Sequence, residues 1–113
     1  MRYADLLLVA AEASNENGKS AQALQYLNEV RERASLPDIT ETNKGLLRDI
    51  ILNERRHELA LEGHRFWDLI RTGNATAKLS PLGFAAKYNL LPIPQSQIDL
   101  SQGRLKQNDG WNN

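Results

Sequence analysis

The 113-residue sequence contains no cysteine, and this absence excludes disulfide bonds and thiolate metal sites. It also lacks an excess of charge of either sign, because 14 Lys and Arg residues balance 14 Asp and Glu residues. A balanced charge provides no basic surface for nucleic acid and no cationic patch for anionic lipid. Long apolar runs are missing too, since the longest, residues 6–11, is far too short to span a bilayer. A helical pattern begins directly after Met1, with no charged segment, apolar segment and cleavage site of the kind that form a signal peptide. We therefore expect this sequence to be a piece of a longer protein.

The first third of the chain has the pattern of a helical hairpin. Good helix formers without proline or glycine predict a helix over residues 2–17, in which only Asp5 and Glu12 form a polar strip. A helix that is apolar almost all round is typically packed on several sides, so the isolated chain should self-associate or be partly molten. Gly18 is the predicted C-cap, and Ser20 is the predicted N-cap of the second helix. Residues 1–37 therefore resemble a tetratricopeptide (TPR) unit, whose period is about 34 residues.

The remaining sequence predicts further helices and then an irregular tail. Asn43 is a suitable N-cap for a long helix over residues 44–61, which Gly63 kinks or breaks before a short helix over residues 65–71. Residues 74–79 predict another short helical turn. From Pro81 on the prolines favour extended backbone, with a short helical turn near residues 95–100. The prediction is a single all-α domain over residues 1–113. Its parts are a TPR-like helical hairpin (1–37), a long kinked helix with its continuation (43–73) and an extended, irregular C-terminal tail (81–113).

Carboxylates lie on the apolar face of the long helix. On a helical wheel Leu47, Ile51 and Leu61 share that face with Glu54 and Glu58. A buried carboxylate must be paired, because an unpaired one lowers the stability of the fold by about 5 kcal/mol. The guanidinium groups nearby in the sequence are candidate partners, because they bind carboxylates through two parallel hydrogen bonds. The predicted structural ion-pair motif comprises Glu54, Arg55, Arg56, Glu58, Glu62, Arg65, Asp68 and Arg71.

Catalytic and metal chemistry are less favoured at the same positions. The zinc-protease pattern H-E-x-x-H would begin at His57 and need a second histidine at Leu61, and His64 adds too few ligands for a zinc site. Glu54, Glu58 and Glu62 could in principle act as acid and base on a glycoside, but they lie on a ridge where packing is expected. We therefore expect no catalytic residue, no metal and no cofactor, and no motif identifies a ligand-binding residue.

The segment over residues 54–73, ERRHELALEGHRFWDLIRTG, carries a family resemblance. It resembles the most recognisable segment of the SusD/RagB family, which are nutrient-binding outer-membrane lipoproteins. The ending Gln107-Asn108-Asp109-Gly110-Trp111 is similar to the family's Q-N-P-G-aromatic ending, with Asp109 in place of proline. The resemblance implies the C-terminal portion of a larger protein at the cell surface, and a TPR-like scaffold.

The same resemblance implies partners as well. They are a glycan and a SusC-like TonB-dependent transporter, with membrane attachment only through a lipid anchor outside this chain. An alternative rests on the TPR-like unit alone: a cytoplasmic adaptor that binds peptides in a helical groove. A hydrolase is a more distant alternative.

Overall fold

The structure, a computed structural model, describes residues 2–111, and all regular secondary structure in that range is helical. The elements in chain order are α1 (Tyr3–Glu16), α2 (Ser20–Arg33), α3 (Lys44–Glu58), α4 (His64–Arg71), α5 (Ala75–Leu79), 3-10 turns at Ser80–Leu82 and Ala86–Asn89, and α6 (Gln95–Leu100). The predicted all-α class is confirmed. The chain divides into two compact units between Asp68 and Leu69. Between residues 2 and 111, no helix is both long and apolar enough to cross a membrane.

The core of the first unit lies where three helices meet. α1 and α2 form an antiparallel hairpin, and α3 packs against both of them. The largest fully buried apolar side chains are Leu8 of α1, Leu27 and Val30 of α2, and Leu47 and Ile51 of α3. Each such side chain contributes about 1.5–3 kcal/mol when it is removed from water. These contacts fix the three helices that supply the charged side chains discussed below.

One face of α1 remains uncovered. Leu8 is fully buried, whereas Tyr3, Leu6 and Val9 keep 66%, 51% and 47% of their surface exposed. Asp5, placed on the polar strip of α1 by its sequence, is in fact buried. The polar strip predicted for α1 is therefore wrong at Asp5, because this carboxylate faces the packed side of the helix and has a partner there.

The connection between α1 and α2 confirms the predicted C-cap at Gly18 and shows that the predicted N-cap at Ser20 is wrong. Gly18 has φ +74°, and the backbone N–H groups of Gly18 and Lys19 donate to the carbonyls of Asn15 and Ser14 at 3.0 and 2.9 Å. This is the Schellman motif, which glycine favours because it lacks a Cβ. The carbonyl of Lys19 already accepts the first bond of α2, from Ala23 at 3.0 Å. Ser20 is consequently the first residue of the helix rather than its N-cap.

The loop before α3 is held by asparagine side chains. The carboxamide of Asn28 accepts from the N–H of Ile39 at 2.9 Å and donates to its carbonyl at 3.0 Å. Asn43 caps α3 as predicted, since its side chain accepts from the N–H groups of Gly45 and Leu46 at 3.0 and 3.1 Å. Both contacts satisfy backbone groups that would otherwise lack a partner.

The helix predicted over residues 44–61 ends earlier, at Glu58. A turn over residues 59–63 follows, in which Leu61 and Gly63 have φ of +65° and +78°. Because an α-helix requires negative φ, these two residues end α3 and delay the next helix until His64. The bend near Gly63 thus consists of a complete turn between two separate helices.

The second unit consists of short helices and an extended segment. Leu90 has φ −122° and ψ 135°, and Pro94 has φ −55° and ψ 133°, so the backbone is extended around Pro92 as the prolines predict. The carboxamide of Gln107 binds the backbone of Ile93, accepting from its N–H at 2.7 Å and donating to its carbonyl at 2.8 Å. The tail is therefore irregular in shape but pinned by specific hydrogen bonds.

Candidate functional site

A buried arginine joins three helices of the first unit. Arg55 of α3 donates from Nη1 to Oδ1 of Asp5 at 2.9 Å and from Nε to Oδ2 of Asp68 at 3.1 Å. The arginine side chain is 5% exposed and each carboxylate is 8% exposed. Such contacts are charge-assisted and shielded from water, so they are stronger and more directional than surface pairs. Arg55 therefore links α1, α3 and α4 through one guanidinium group.

Glu54 is paired across the helix interface rather than along its own helix. Its Oε2 accepts from Nη1 of Arg31, on α2, at 2.6 Å, and the two side chains are 9% and 14% exposed. Nε of Arg31 also donates to the carbonyl of Pro37 at 3.0 Å. The same guanidinium thus holds α3 and the loop after α2.

Glu58 and Glu62 share an arginine from the beginning of the chain. Arg2 donates to Glu58 Oε1 at 2.9 Å and to Glu62 Oε2 at 3.1 Å, and Arg33 donates to both oxygens of Glu58 at 2.7 Å. The hydrogen bonds that Arg2 donates to Glu62 and Glu58 raise the pKa of Arg2 above its ordinary value. The hydrogen bond from Arg2 lowers the pKa of Glu62. Both carboxylates are therefore occupied by guanidinium groups.

The other three arginines of the predicted motif differ in their exposure. Arg56 and Arg71 are exposed, and Arg65 is half-buried. Across residues 2–111, neither Arg56 nor Arg65 forms an ion pair. The ion pairs described above contain five of the predicted residues, Glu54, Arg55, Glu58, Glu62 and Asp68.

The remaining partners come from α1 and α2 and were missed from the sequence. They are Arg2, Asp5, Arg31 and Arg33. Asp5 could have been found by the argument used for Glu54, because it is a carboxylate within an otherwise apolar helical stretch. No comparable signal distinguishes Arg31 and Arg33 from other helical arginines.

A second charged cluster connects the end of α1 with the beginning of α3. Arg48 donates from Nε and Nη2 to the two oxygens of Glu16 at 2.6 and 2.7 Å, and Lys44 lies 3.3 Å from the same carboxylate. The hydrogen bond from Arg48 is the main reason that the pKa of Glu16 falls to about 2. Close by, the buried Asn15 donates to the carbonyl of Lys44 at 2.9 Å, while its Oδ1 accepts no hydrogen bond from any residue between 2 and 111.

The histidines do not form a metal site with their neighbours. His57 is exposed and His64 is half-buried. In the part of the chain that the structure describes, no group of three or more His, Asp or Glu side chains is arranged to hold a metal ion. The geometry of this stretch is that of ion pairs between helices.

The tail contains an aromatic cluster. The indole N–H of Trp111 donates to the carbonyls of Leu90 and Lys87 at 3.0 and 3.1 Å. The rings of Tyr88 and Trp111 meet edge to face at 5.5 Å, and Nζ of Lys87 lies 4.7 Å from the centre of the Trp111 ring. Asn108 adds a hydrogen bond to the carbonyl of Leu91 at 2.7 Å. The Q-N-D-G-W ending therefore closes back on the extended segment.

A family model described as the SusD family matches residues 1–83, which include the whole ion-pair cluster. The chain belongs to the SusD/RagB family. SusD-like protein P38 of Formosa agariphila is 43% identical over 90 residues, which cover 72% of this chain and 18% of that protein. A SusD-like protein from Bacteroides fragilis superposes with a TM-score of 0.87 at 32% identity, covering 98% of this chain and 25% of the other.

A further solved structure is described as a laminarin-binding SusD-like protein. It superposes with a TM-score of 0.80 at 43% identity, over 98% of this chain and 22% of that one. This SusD-family chain thus spans about a fifth to a quarter of the length of the proteins it matches. The SusD-like structures also extend the match over the tail, which lies beyond the range of the family model.

Proposed function

We propose that this chain is a scaffold segment, the C-terminal portion, of a cell-surface protein that binds a glycan or similar nutrient. Membership of the SusD/RagB family and likeness to a laminarin-binding SusD-like protein support the proposal. The fraction of those proteins that it matches supports a role as one part of a longer polypeptide. The longer protein would lie at the outer membrane through a lipid anchor and pass its nutrient to a SusC-like TonB-dependent transporter.

The observation that carries the scaffold assignment is the state of the buried carboxylates. Glu54, Asp5 and Asp68 are buried, and each accepts a hydrogen bond from a guanidinium group of another helix. A carboxylate held in this way connects helices, whereas a glycosidase needs two carboxyl groups facing a space for sugar and water. We accordingly assign the cluster an architectural role and assign the chain no catalytic residue and no cofactor.

Binding measurements on two proteins test the proposal. In titration calorimetry, the longer protein that carries this chain should bind members of a glycan panel that includes laminarin and starch oligosaccharides. The 113-residue chain alone should bind none of them tightly. Tight binding by the chain alone would contradict the scaffold assignment. A longer protein that binds no glycan, nor any other nutrient of the panel, would contradict the function as a whole.

Localisation and partnership are tested separately. The longer protein should fractionate with the outer membrane and release from it when its lipid-anchor cysteine is replaced. It should also co-purify with a TonB-dependent transporter. Recovery in the cytoplasmic fraction without a transporter would favour the second candidate.

That second candidate is a cytoplasmic TPR-type adaptor, favoured by a groove on the α1–α2 hairpin. The groove has a volume of about 540 Å³ and is lined by residues that include Tyr3, Leu7, Val30, Glu29 and Arg33. The hydroxyl of Tyr3 donates to Oε1 of Glu29 at 2.8 Å, which ties the two helices together at this point. Peptide binding that is lost in a Tyr3→Lys variant, in a protein with further repeats and no signal sequence, would support the adaptor, because Tyr3 lines the groove and is exposed.

A hydrolase would require that a carboxylate of the cluster acts in turnover. A Glu58→Gln variant that folds normally but loses a measurable glycosidase activity would favour this third function. Under the scaffold proposal the same variant changes only stability, because Glu58 accepts from Arg2 and Arg33 rather than from a substrate.

A further inference from the structure

The turn between α3 and α4 places a leucine where two unfavourable effects coincide. Leu61 has φ +65°, a conformation that costs a residue with a Cβ roughly 1–2 kcal/mol. Its side chain is also fully exposed, at 106% of the reference surface. Glycine or asparagine would adopt this backbone more easily and would leave no apolar side chain in water. Nothing within the first unit, over residues 2–68, compensates for either effect.

The leucine is nevertheless held in a fixed position. Leu59, two residues earlier, is 3% exposed, and the N–H of Glu62 donates to its carbonyl at 3.2 Å. Glu58 and Glu62, which flank the turn, are both tied to Arg2. Leu61 therefore projects from a braced turn, so its exposure does not result from a loose loop.

The surroundings of the turn indicate the chemistry of whatever covers it. Trp67, in the middle of α4, is 60% exposed and is a second large apolar side chain close to the turn in the sequence. Arg56 and Arg65 have no ion-pair partner among residues 2–111. This combination of exposed apolar groups and guanidinium groups without an ion-pair partner, within residues 56–67, is complementary to an apolar recess with an acidic rim.

We propose that the side chain of Leu61, called the plug below, inserts into an apolar recess with an acidic rim on the remaining polypeptide of the longer protein. The inference rests on the proposed function, because it requires that longer protein. The chain matches only 18% of SusD-like protein P38 and 25% of the Bacteroides fragilis structure, so most of a protein of that size remains to cover this turn. Burial of the leucine offsets the cost of its backbone, since it removes an apolar side chain from water.

Thiol labelling of the longer protein tests whether the turn is covered. The chain has no cysteine of its own, so a Leu61→Cys variant introduces one reactive position in this segment. Labelling by a maleimide is followed by mass spectrometry of the peptide that contains position 61, in native and in urea-unfolded protein. We expect labelling at least tenfold slower in the native protein. Equal rates in the two states overturn the proposal, and protection that disappears on dilution overturns it in favour of a second copy.

Stability measurements on the longer protein give an independent result. Leu61→Asn should lower its Tm, because a polar side chain replaces the plug, whereas Leu61→Met should leave it nearly unchanged. A Tm that rises in Leu61→Asn shows relief of backbone strain without loss of burial, and this result overturns the proposal. Arg56→Gln combined with Arg65→Gln should lower the Tm more than the exposed control Arg104→Gln does. Glycan binding is measured in parallel, so that failure of the plug is distinguished from failure of the proposed function.

Discussion

Replacing Arg55 by leucine removes the guanidinium group that bridges Asp5 and Asp68. The leucine retains part of the apolar stem but cannot donate to either carboxylate. Because the two aspartates are 5% and 6% exposed, water has little access to take over the lost hydrogen bonds. The variant therefore leaves two buried carboxylates without their shared cation.

The expected loss follows from that burial. Breaking a buried ion pair by removing one partner typically costs about 3–5 kcal/mol, because the remaining charge is not compensated. A domain of ordinary stability has a free energy of unfolding of about 5–15 kcal/mol, so this is a large fraction of the total. We expect Arg55→Leu to lower the free energy of unfolding by about 3–5 kcal/mol at pH 7.

The neighbouring residue provides a matched control. Arg56 lies on the same helix, is exposed, and has no ion-pair partner within the described range. In the 113-residue chain by itself, Arg56→Leu should change the stability by at most about 0.5 kcal/mol. Urea unfolding followed by far-UV circular dichroism measures both variants. Adding Asp5→Asn and Asp68→Asn to Arg55→Leu should restore part of the loss, because neutral amides replace the carboxylates that have lost the Arg55 cation.

This prediction is refuted if Arg55→Leu and Arg56→Leu lower the free energy of unfolding by the same amount within experimental error. Equal losses would mean that the Arg55 pairs are as weak as exposed ones, whose typical contribution is about 0–1 kcal/mol. The architectural role assigned to the cluster would then have no energetic basis.

Three further predictions concern other parts of the chain. The pKa of Glu16 is lowered to about 2 from its ordinary value of 4.5. Its ion pairs therefore stabilise the fold fully above pH 4.5, and this stabilisation is lost as the pH falls towards 2. Glu16→Gln should therefore lower the free energy of unfolding, measured with urea, by about 0.5 kcal/mol at pH 7 and leave it nearly unchanged near pH 2. A difference between the variant and the parent chain that persists at pH 2 would refute this. Gly110→Ala should destabilise the tail by about 1–3 kcal/mol, because its φ is +79° and a Cβ would lie 2.8 Å from Cβ of Lys87. Fluorescence of the tail tryptophan measures this change, and Gly103→Ala, with φ +81° but open space, should cost less. Leu6→Lys should reduce self-association of the isolated chain in light scattering, since Leu6 is 51% exposed on the uncovered face of α1, and a monomeric parent chain would contradict this.

Local signals in the sequence account for the elements that were predicted well. Gly18 and Asn43 were recognised as caps because each acts on backbone groups within a few residues of itself. The error at Ser20 has a local origin as well, because two plausible caps compete when a Schellman turn leads directly into the next helix. The early end of α3 was missed because leucine gives no warning of a positive φ at Leu61.

Residue types and their periodicity determined by themselves that this chain forms amphipathic helices and that carboxylates on an apolar face need cations. They did not determine which cations, and the tertiary structure decided that. Glu54 binds Arg31, 23 residues away, and Glu58 binds Arg2, 56 residues away, whereas the adjacent Arg56 remains exposed. The physical reason is geometric: successive residues on a helix point about 100° apart, so a buried side chain meets groups from the opposing helix rather than its sequence neighbours.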